Sequence, residues 1–136
     1  MGESILVVED NAGLRDVMRD WLETVFLACE VIVASHDNRA IRVAEARSPS
    51  VILVDVDALL CRSVEAIARL HRVAPDAEII ALTMDDHAAL RRDIASVGVA
   101  ACIREPQISD QLLPIMKEIL GPACEFRWAN GVPIPV

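Results

Sequence analysis

Five short aliphatic runs, each followed by a stretch of helical periodicity, constrain this chain more than any other feature of it. They are Ile5–Val8, Glu30–Ala34, Val51–Val54, Ile79–Leu82 and Val99–Ile103. Runs this short and rich in β-branched residues read as strands, and the ones without polar alternation as strands covered on both faces. Strands that alternate with helices build a parallel sheet whose right-handed crossovers lay helices on both sides. The run Val51-Ile52-Leu53-Val54 is the most telling, because it leads straight into Asp55. A carboxylate at the carboxyl end of a central strand stands where open α/β sheets place their ligand sites. The purely structural alternative is that Asp55 caps the next helix or begins a turn.

Bulk properties narrow the field. A chain of 136 residues holds one domain with a real core and has no room for two. Apolar residues make up 54% and charged ones 25%, an ordinary soluble globular balance. The net charge of −8 argues against direct nucleic-acid binding, which calls for a basic face. No apolar run approaches the roughly 18 residues of a membrane span, and Met1-Gly2-Glu3-Ser4 lacks a cationic signal start. The expected location is the cytoplasm, with no membrane contact. Cys29, Cys61, Cys102 and Cys124 are scattered without a C-x-x-C pair, so free thiols are expected rather than a zinc site or disulfides.

Along the chain, Ile5–Val8 ends in Glu9-Asp10, and Asn11 is placed to cap a helix from about Ala12 to Leu27. Its apolar positions Leu14, Val17, Met18, Leu22 and Val25 fall at helical spacing. Ser35 to Asn38 offers caps for a second helix through Ala46, with Ala40, Ile41 and Ala44 facing inward. A third helix is predicted from about Cys61 to Val73, carrying Val64, Ile67, Ala68 and Leu70, before the turn Ala74-Pro75-Asp76. Ile79–Leu82 ends at Thr83, Asp85 and Asp86 start a fourth helix, and that helix stops before Gly98. Pro106 punctuates the end of the fifth strand. Ser109 is placed to cap a last helix from about Asp110 to Leu120, with Pro114 in or just past its first turn.

This pattern predicts an α/β fold: a flavodoxin-like, doubly wound, five-stranded parallel sheet of order 2-1-3-4-5 with helices on both faces. That order sets the first strand beside the third and brings Glu9 and Asp10 next to Asp55. Like charges so close raise one another's pKa unless a cation lies between them. A hard divalent ion with oxygen ligands, most plausibly Mg²⁺, relieves the repulsion and offsets phosphoryl charge while Asp55 acts as nucleophile. Thr83, ending the neighbouring strand, is placed to hydrogen-bond a phosphoryl oxygen. The structural alternatives are a solvated helix start at Glu9-Asp10 and an ordinary strand threonine.

The segments Val7-Val8-Glu9-Asp10-Asn11, Pro49-Ser50-Val51-Ile52-Leu53-Val54-Asp55 and Ala81-Leu82-Thr83 together resemble the response-regulator receiver domain of bacterial two-component signalling. The resemblance spans about residues 3 to 120 and leaves 121–136 as a C-terminal tail or linker stub. It implies that Glu9, Asp10 and Asp55 hold Mg²⁺ and that Asp57 completes the metal shell through its backbone carbonyl. It also implies that Asp55 takes a phosphoryl group from a histidine kinase or phosphotransfer protein, with Thr83 as the switch hydroxyl. Such a domain is a regulatory phosphoacceptor rather than an enzyme, and its relatives often dimerise through the fourth helix and fifth strand.

The departures from the pattern carry equal weight. Glu105 stands where receivers carry a lysine before the proline, adding repulsion where the family has a cation. Alternation turns Arg104 to the opposite face from Glu105, unless a bulge in the strand brings it round. Cys102 replaces the switch aromatic, Met84 stands where a small residue is preferred, and the loop after Asp57 lacks the usual Pro and Gly.

Two functions from different classes follow: a phosphorylatable signalling receiver, or an atypical receiver whose partner contacts ignore phosphorylation. A flavodoxin-like cofactor enzyme finds little support, because no Gly-rich phosphate loop follows the first strand. His36, His71 and His87 show no ligand spacing, and Arg39, Arg42, Arg47, Arg69 and Arg72 read as solvated faces. Arg91-Arg92 are candidates for a partner surface. The tail, with its three prolines and Trp128, either packs on its own domain or a dimer partner, or leads to a further domain.

Overall fold

The computed structural model describes residues 3–35, 38–57, 63–84, 88–104, 108–121, 127–129 and 132–134. Strands β1 (Ser4–Val8), β2 (Glu30–Ala34), β3 (Val51–Asp55), β4 (Glu78–Thr83) and β5 (Ala101–Arg104) alternate with helices. The helices are α1 (Ala12–Val25), α2 (Asn38–Arg47), α3 (Ser63–Val73), α4 (Ala88–Ala95) and α5 (Ile108–Leu120). The strands form one parallel sheet in the order β2-β1-β3-β4-β5, as the alternation predicts.

Strand alternation divides the core in two. Ile5, Val7, Val51, Leu53, Ile80, Leu82 and Ile103 face one way and bury Leu22 and Phe26 at α1 together with Leu112, Leu113 and Met116 of α5. Leu6, Val8, Ile52, Val54, Ile79 and Ala81 face the other way, against Ala40 and Ala44 of α2, Ile67 and Leu70 of α3 and Ile94 of α4. All five residues of both β1 and β3 are buried, which explains why neither shows polar alternation. The small residues Ala40 and Ala44 let α2 approach the sheet closely.

The helix ends depart from expectation where packing overrides local preference. Asn11 caps α1 as predicted, its side chain accepting the Leu14 N–H at 3.0 Å. The helix ends at Val25 instead of Leu27, because Phe26 turns into the core with no exposure while Leu27 stays outside. Val17, one of the apolar positions at helical spacing, is 64% exposed. The buried stripe runs Met18, Leu22, Val25, and Val17 lies about 100° of helix rotation away from it. Ser109 lies inside α5 rather than capping it: Ile108 packs against the first core and draws the helix start two residues earlier than Asp110. Pro114 is likewise interior, and the helix continues past it to Leu120. The proposed starts at Cys61, Asp85 and Asp86, and the residues His36, His87, Glu105, Pro106 and Cys124, lie outside the described residues.

Gly98, with φ of 88°, makes the turn from α4 to β5 in a conformation that side-chain-bearing residues resist. Beyond α5, β6 (Arg127–Ala129) and β7 (Val132–Ile134) pair as an antiparallel ribbon, and β7 lies beside α1. Part of the tail therefore packs on its own domain. Among the described residues no helix is long and apolar enough to cross a membrane.

Candidate functional site

The carboxyl ends of β1, β3 and β4 lie side by side, because Val8 pairs with Val54 and Asp55 pairs with Leu82. Past Val8, the Glu9 N–H still donates to the Ala34 carbonyl at 3.0 Å, extending the ladder with β2 by one residue. Glu9 is 3% exposed, and its Oε1 accepts the Asn11 N–H at 3.1 Å. Asp10 is exposed. Arg15, one turn into α1, donates from Nη1 to the carbonyls of Glu9 (2.8 Å) and Asp10 (3.1 Å). The guanidinium thus pins the backbone of the acidic pair. Nothing in the sequence pattern singled out Arg15, whose partners lie off the helical repeat.

Asp55 ends β3 at 9% exposure. Its Oδ1 accepts the Asp57 N–H at 3.0 Å, a local turn that aims the side chain. Val56 keeps the ladder to β4 through its N–H to the Leu82 carbonyl. Ser63, fully buried at the start of α3, donates to the Val56 carbonyl at 3.0 Å and ties that helix to the loop. Sequence reading passed over Ser63; a serine at a helix start was the available signal.

Thr83 ends β4 at 2% exposure. Its hydroxyl donates to Oδ1 of Asp57 at 2.8 Å. The neighbouring Met84 N–H donates to the other oxygen, Oδ2, of the same carboxylate. Asp57 was expected to contribute a backbone carbonyl alone; its side chain proves to be the acceptor that ties the β3 loop to the end of β4.

Arg104 pairs with Thr83 across β4 and β5. Cys102 packs with the second core, so alternation puts Arg104 on that same face, the face of Ala81 and Thr83. The Arg104 Nε is buried without a hydrogen-bond partner. The Cys102 thiol is pushed above its ordinary range by burial, drawn down by Arg91 and raised again by Asp57. A recess of about 420 Å³ lined by Ala88, Arg91, Arg92, Ala95 and Cys102 opens on the α4–β5 side.

The donor set at the strand ends is all oxygen: carboxylates of Glu9, Asp10 and Asp55 and the Asp57 carbonyl. That chemistry suits a hard cation of the Mg²⁺ kind. Among the described residues no three acidic, His or Cys side chains stand close enough together to hold a metal ion. The strand order brings the two acidic loops to one edge of the sheet but does not draw their carboxylates into a ready-made cage.

A parallel sheet of this order with an aspartate at the end of its third strand defines a doubly wound α/β domain with a carboxylate site at the topological switch point. The sequence profile of the response regulator receiver domain matches residues 5–117, and the chain belongs to that family. Its fold is similar to a response regulator receiver domain protein from Methanospirillum hungatei, with TM-score 0.76 and 23% identity over 90% of this chain and 97% of that one. A response regulator from Thermotoga maritima aligns with TM-score 0.74 and 22% identity, covering 88% and 98% of the two chains. A response regulator protein from Burkholderia pseudomallei, solved with a phosphorylated aspartic acid, calcium ion and citrate, aligns with TM-score 0.73 and 23% identity. That alignment covers 89% of this chain and 68% of the other. No curated protein matches the chain.

Proposed function

We propose that this receiver domain takes a phosphoryl group on Asp55 from a histidine kinase or phosphotransfer protein in the cytoplasm, with Mg²⁺ bound by Glu9, Asp10, Asp55 and the Asp57 carbonyl. The observation that carries the reading is Asp55 itself, nearly buried at the strand end and aimed by the Asp57 N–H. An Asp55 oxygen attacks phosphorus and forms the new O–P bond. The donor's P–N bond, or P–O bond in an acyl phosphate, breaks with its electron pair on the leaving group. The cation, when bound, offsets charge on the phosphoryl oxygens. Arg15 holds the backbone of the acidic pair, and Asn11 with the start of α1 keeps that loop short and ordered. The phosphorylated aspartic acid in the Burkholderia pseudomallei relative supports this assignment. On this reading the domain is a regulatory acceptor, and the recess beside Arg91 and Arg92 belongs to the face through which it meets a partner or a second copy.

Incubation with acetyl phosphate and Mg²⁺ is expected to add one phosphoryl mass, read by intact-protein mass spectrometry, and Asp55→Asn to abolish it. A wild-type mass that stays unchanged under saturating donor ends the proposal. The hold of Asp57 on Thr83 favours a second reading, a module whose contacts ignore phosphorylation. Partner binding that persists unchanged in Asp55→Asn supports that reading, and a large loss of binding removes it.

A further inference from the structure

The Asp57 carboxylate occupies the two donors at the end of β4 that face the phosphoacceptor edge. Neighbouring strands lie about 4.8 Å apart. Asp55 pairs with Leu82, so the next donors on β4 are the Thr83 hydroxyl and the Met84 N–H. Each is engaged by a different oxygen of one carboxylate, and the N–H of the same residue holds Asp55. Two bonds thus hold the half-buried Asp57 carboxylate at the end of β4, and a third ties its backbone N–H to Asp55. A phosphoryl group on Asp55 would need those donors for its own oxygens, and it would meet like charge at close range.

Resting on the phosphoacceptor reading above, we infer that Asp57 is a built-in surrogate for the phosphoryl group. It holds Thr83 toward the site in the unmodified protein and must release Thr83 and Met84 before Asp55 can be modified. The device makes modification slow and leaves the β4 end already engaged. It also accounts for the pairing of Asp57 with an exposed Met84: the donor used is the backbone N–H, so the Met84 side chain is free to stay outside. A merely structural Asp57, one that only closes the turn, predicts lower stability on removal and no gain in phosphoryl affinity.

The test compares wild type, Asp57→Ala and Asp57→Asn, the last keeping the side-chain volume and one acceptor without the charge. Without any donor, the Met84 amide resonance is expected to move and its hydrogen exchange to quicken in Asp57→Ala. With Mg²⁺ and beryllofluoride as phosphoryl stand-in, Asp57→Ala is expected to bind about tenfold or more tightly than wild type, as loss of a competing charge-assisted bond implies. Asp57→Asn should fall between. Labelling by acetyl phosphate should quicken in the same order. An unmoved Met84 amide overturns the inference, as does beryllofluoride binding no tighter in either variant while wild type still gains phosphoryl mass. Failure of all three proteins to gain mass or bind beryllofluoride instead overturns the phosphoacceptor reading on which the inference stands.

Discussion

Two thiols, Cys29 buried and Cys102 partly buried, report how individual side chains feel the fold. Burial raises the Cys29 thiol above its ordinary value, and Glu3 adds to the rise. Cys102 is raised by burial and by Asp57 against the pull of Arg91. A raised thiol pKa favours the neutral form in the folded state. Its contribution to stability is therefore whole below the ordinary thiol value of 9.0 and is lost as pH climbs through the raised folded value. Both cysteines are expected to alkylate more slowly at pH 8 than free cysteine, read by mass spectrometry after peptide digestion. Arg91→Ala removes the lowering influence on Cys102 and should slow its alkylation further while leaving Cys29 unchanged. Faster alkylation of Cys102 in that variant would contradict the assigned cause. Both residues were expected from the sequence to be free thiols, but the neighbours that tune them come from other elements and were not legible there.

At the scale of elements, the strands were legible apart from the start of β5, at Ala101 instead of Val99. The helix ends were legible only in part: the Asn11 cap and the ends at Val73 and Leu120 were, the end of α1 and the start of α5 were not. A buried strand leaves its mark in consecutive residues: Val51 to Val54 are all apolar because both faces of β3 are covered. A helix end is set by a balance between cap preference and what the next residue buries, and that balance is tertiary. Ile108 won over Ser109 because it reaches the first core; Phe26 ended α1 for the same reason. Pro114 shows the cost a helix absorbs when packing demands it. Lacking an N–H, it cannot donate to the carbonyl of Asp110, an exposed residue. Flanking Leu112, Leu113 and Met116 are fully buried and hold the helix in place. Pro114→Ala is expected to raise unfolding free energy by about 1 kcal/mol or more in urea denaturation, since it restores that bond and helix propensity. A destabilised variant would mean that the proline ring itself packs where Ala cannot.

For the whole molecule, sheet order dictates which parts open last. β1, β3 and β4 each have a strand on both sides, whereas β2 and β5 are edges. Amide hydrogen exchange is expected to be slowest in Leu6, Val7, Ile52, Leu53 and Ile80 and faster in β2 and β5, because an edge strand is hydrogen-bonded to the sheet on one side only. Uniform protection across the five strands would contradict that hierarchy. The same order explains the site: only adjacency of β1 with β3, and of β3 with β4, carries Glu9, Asp55 and Thr83 to one edge. The sequence by itself determined the five alternating strands and helices of residues 3–120 and the position of Asp55 at the end of the central strand, but not the β6–β7 ribbon of the tail. Those properties are written in short-range periodicity and in the burial pattern it enforces. Only the tertiary structure decided that Asp57 grips Thr83, 26 residues away, that Arg15 pins the acidic loop and that Arg104 sits opposite Thr83. Such contacts depend on strand register and side-chain direction, which no local pattern encodes.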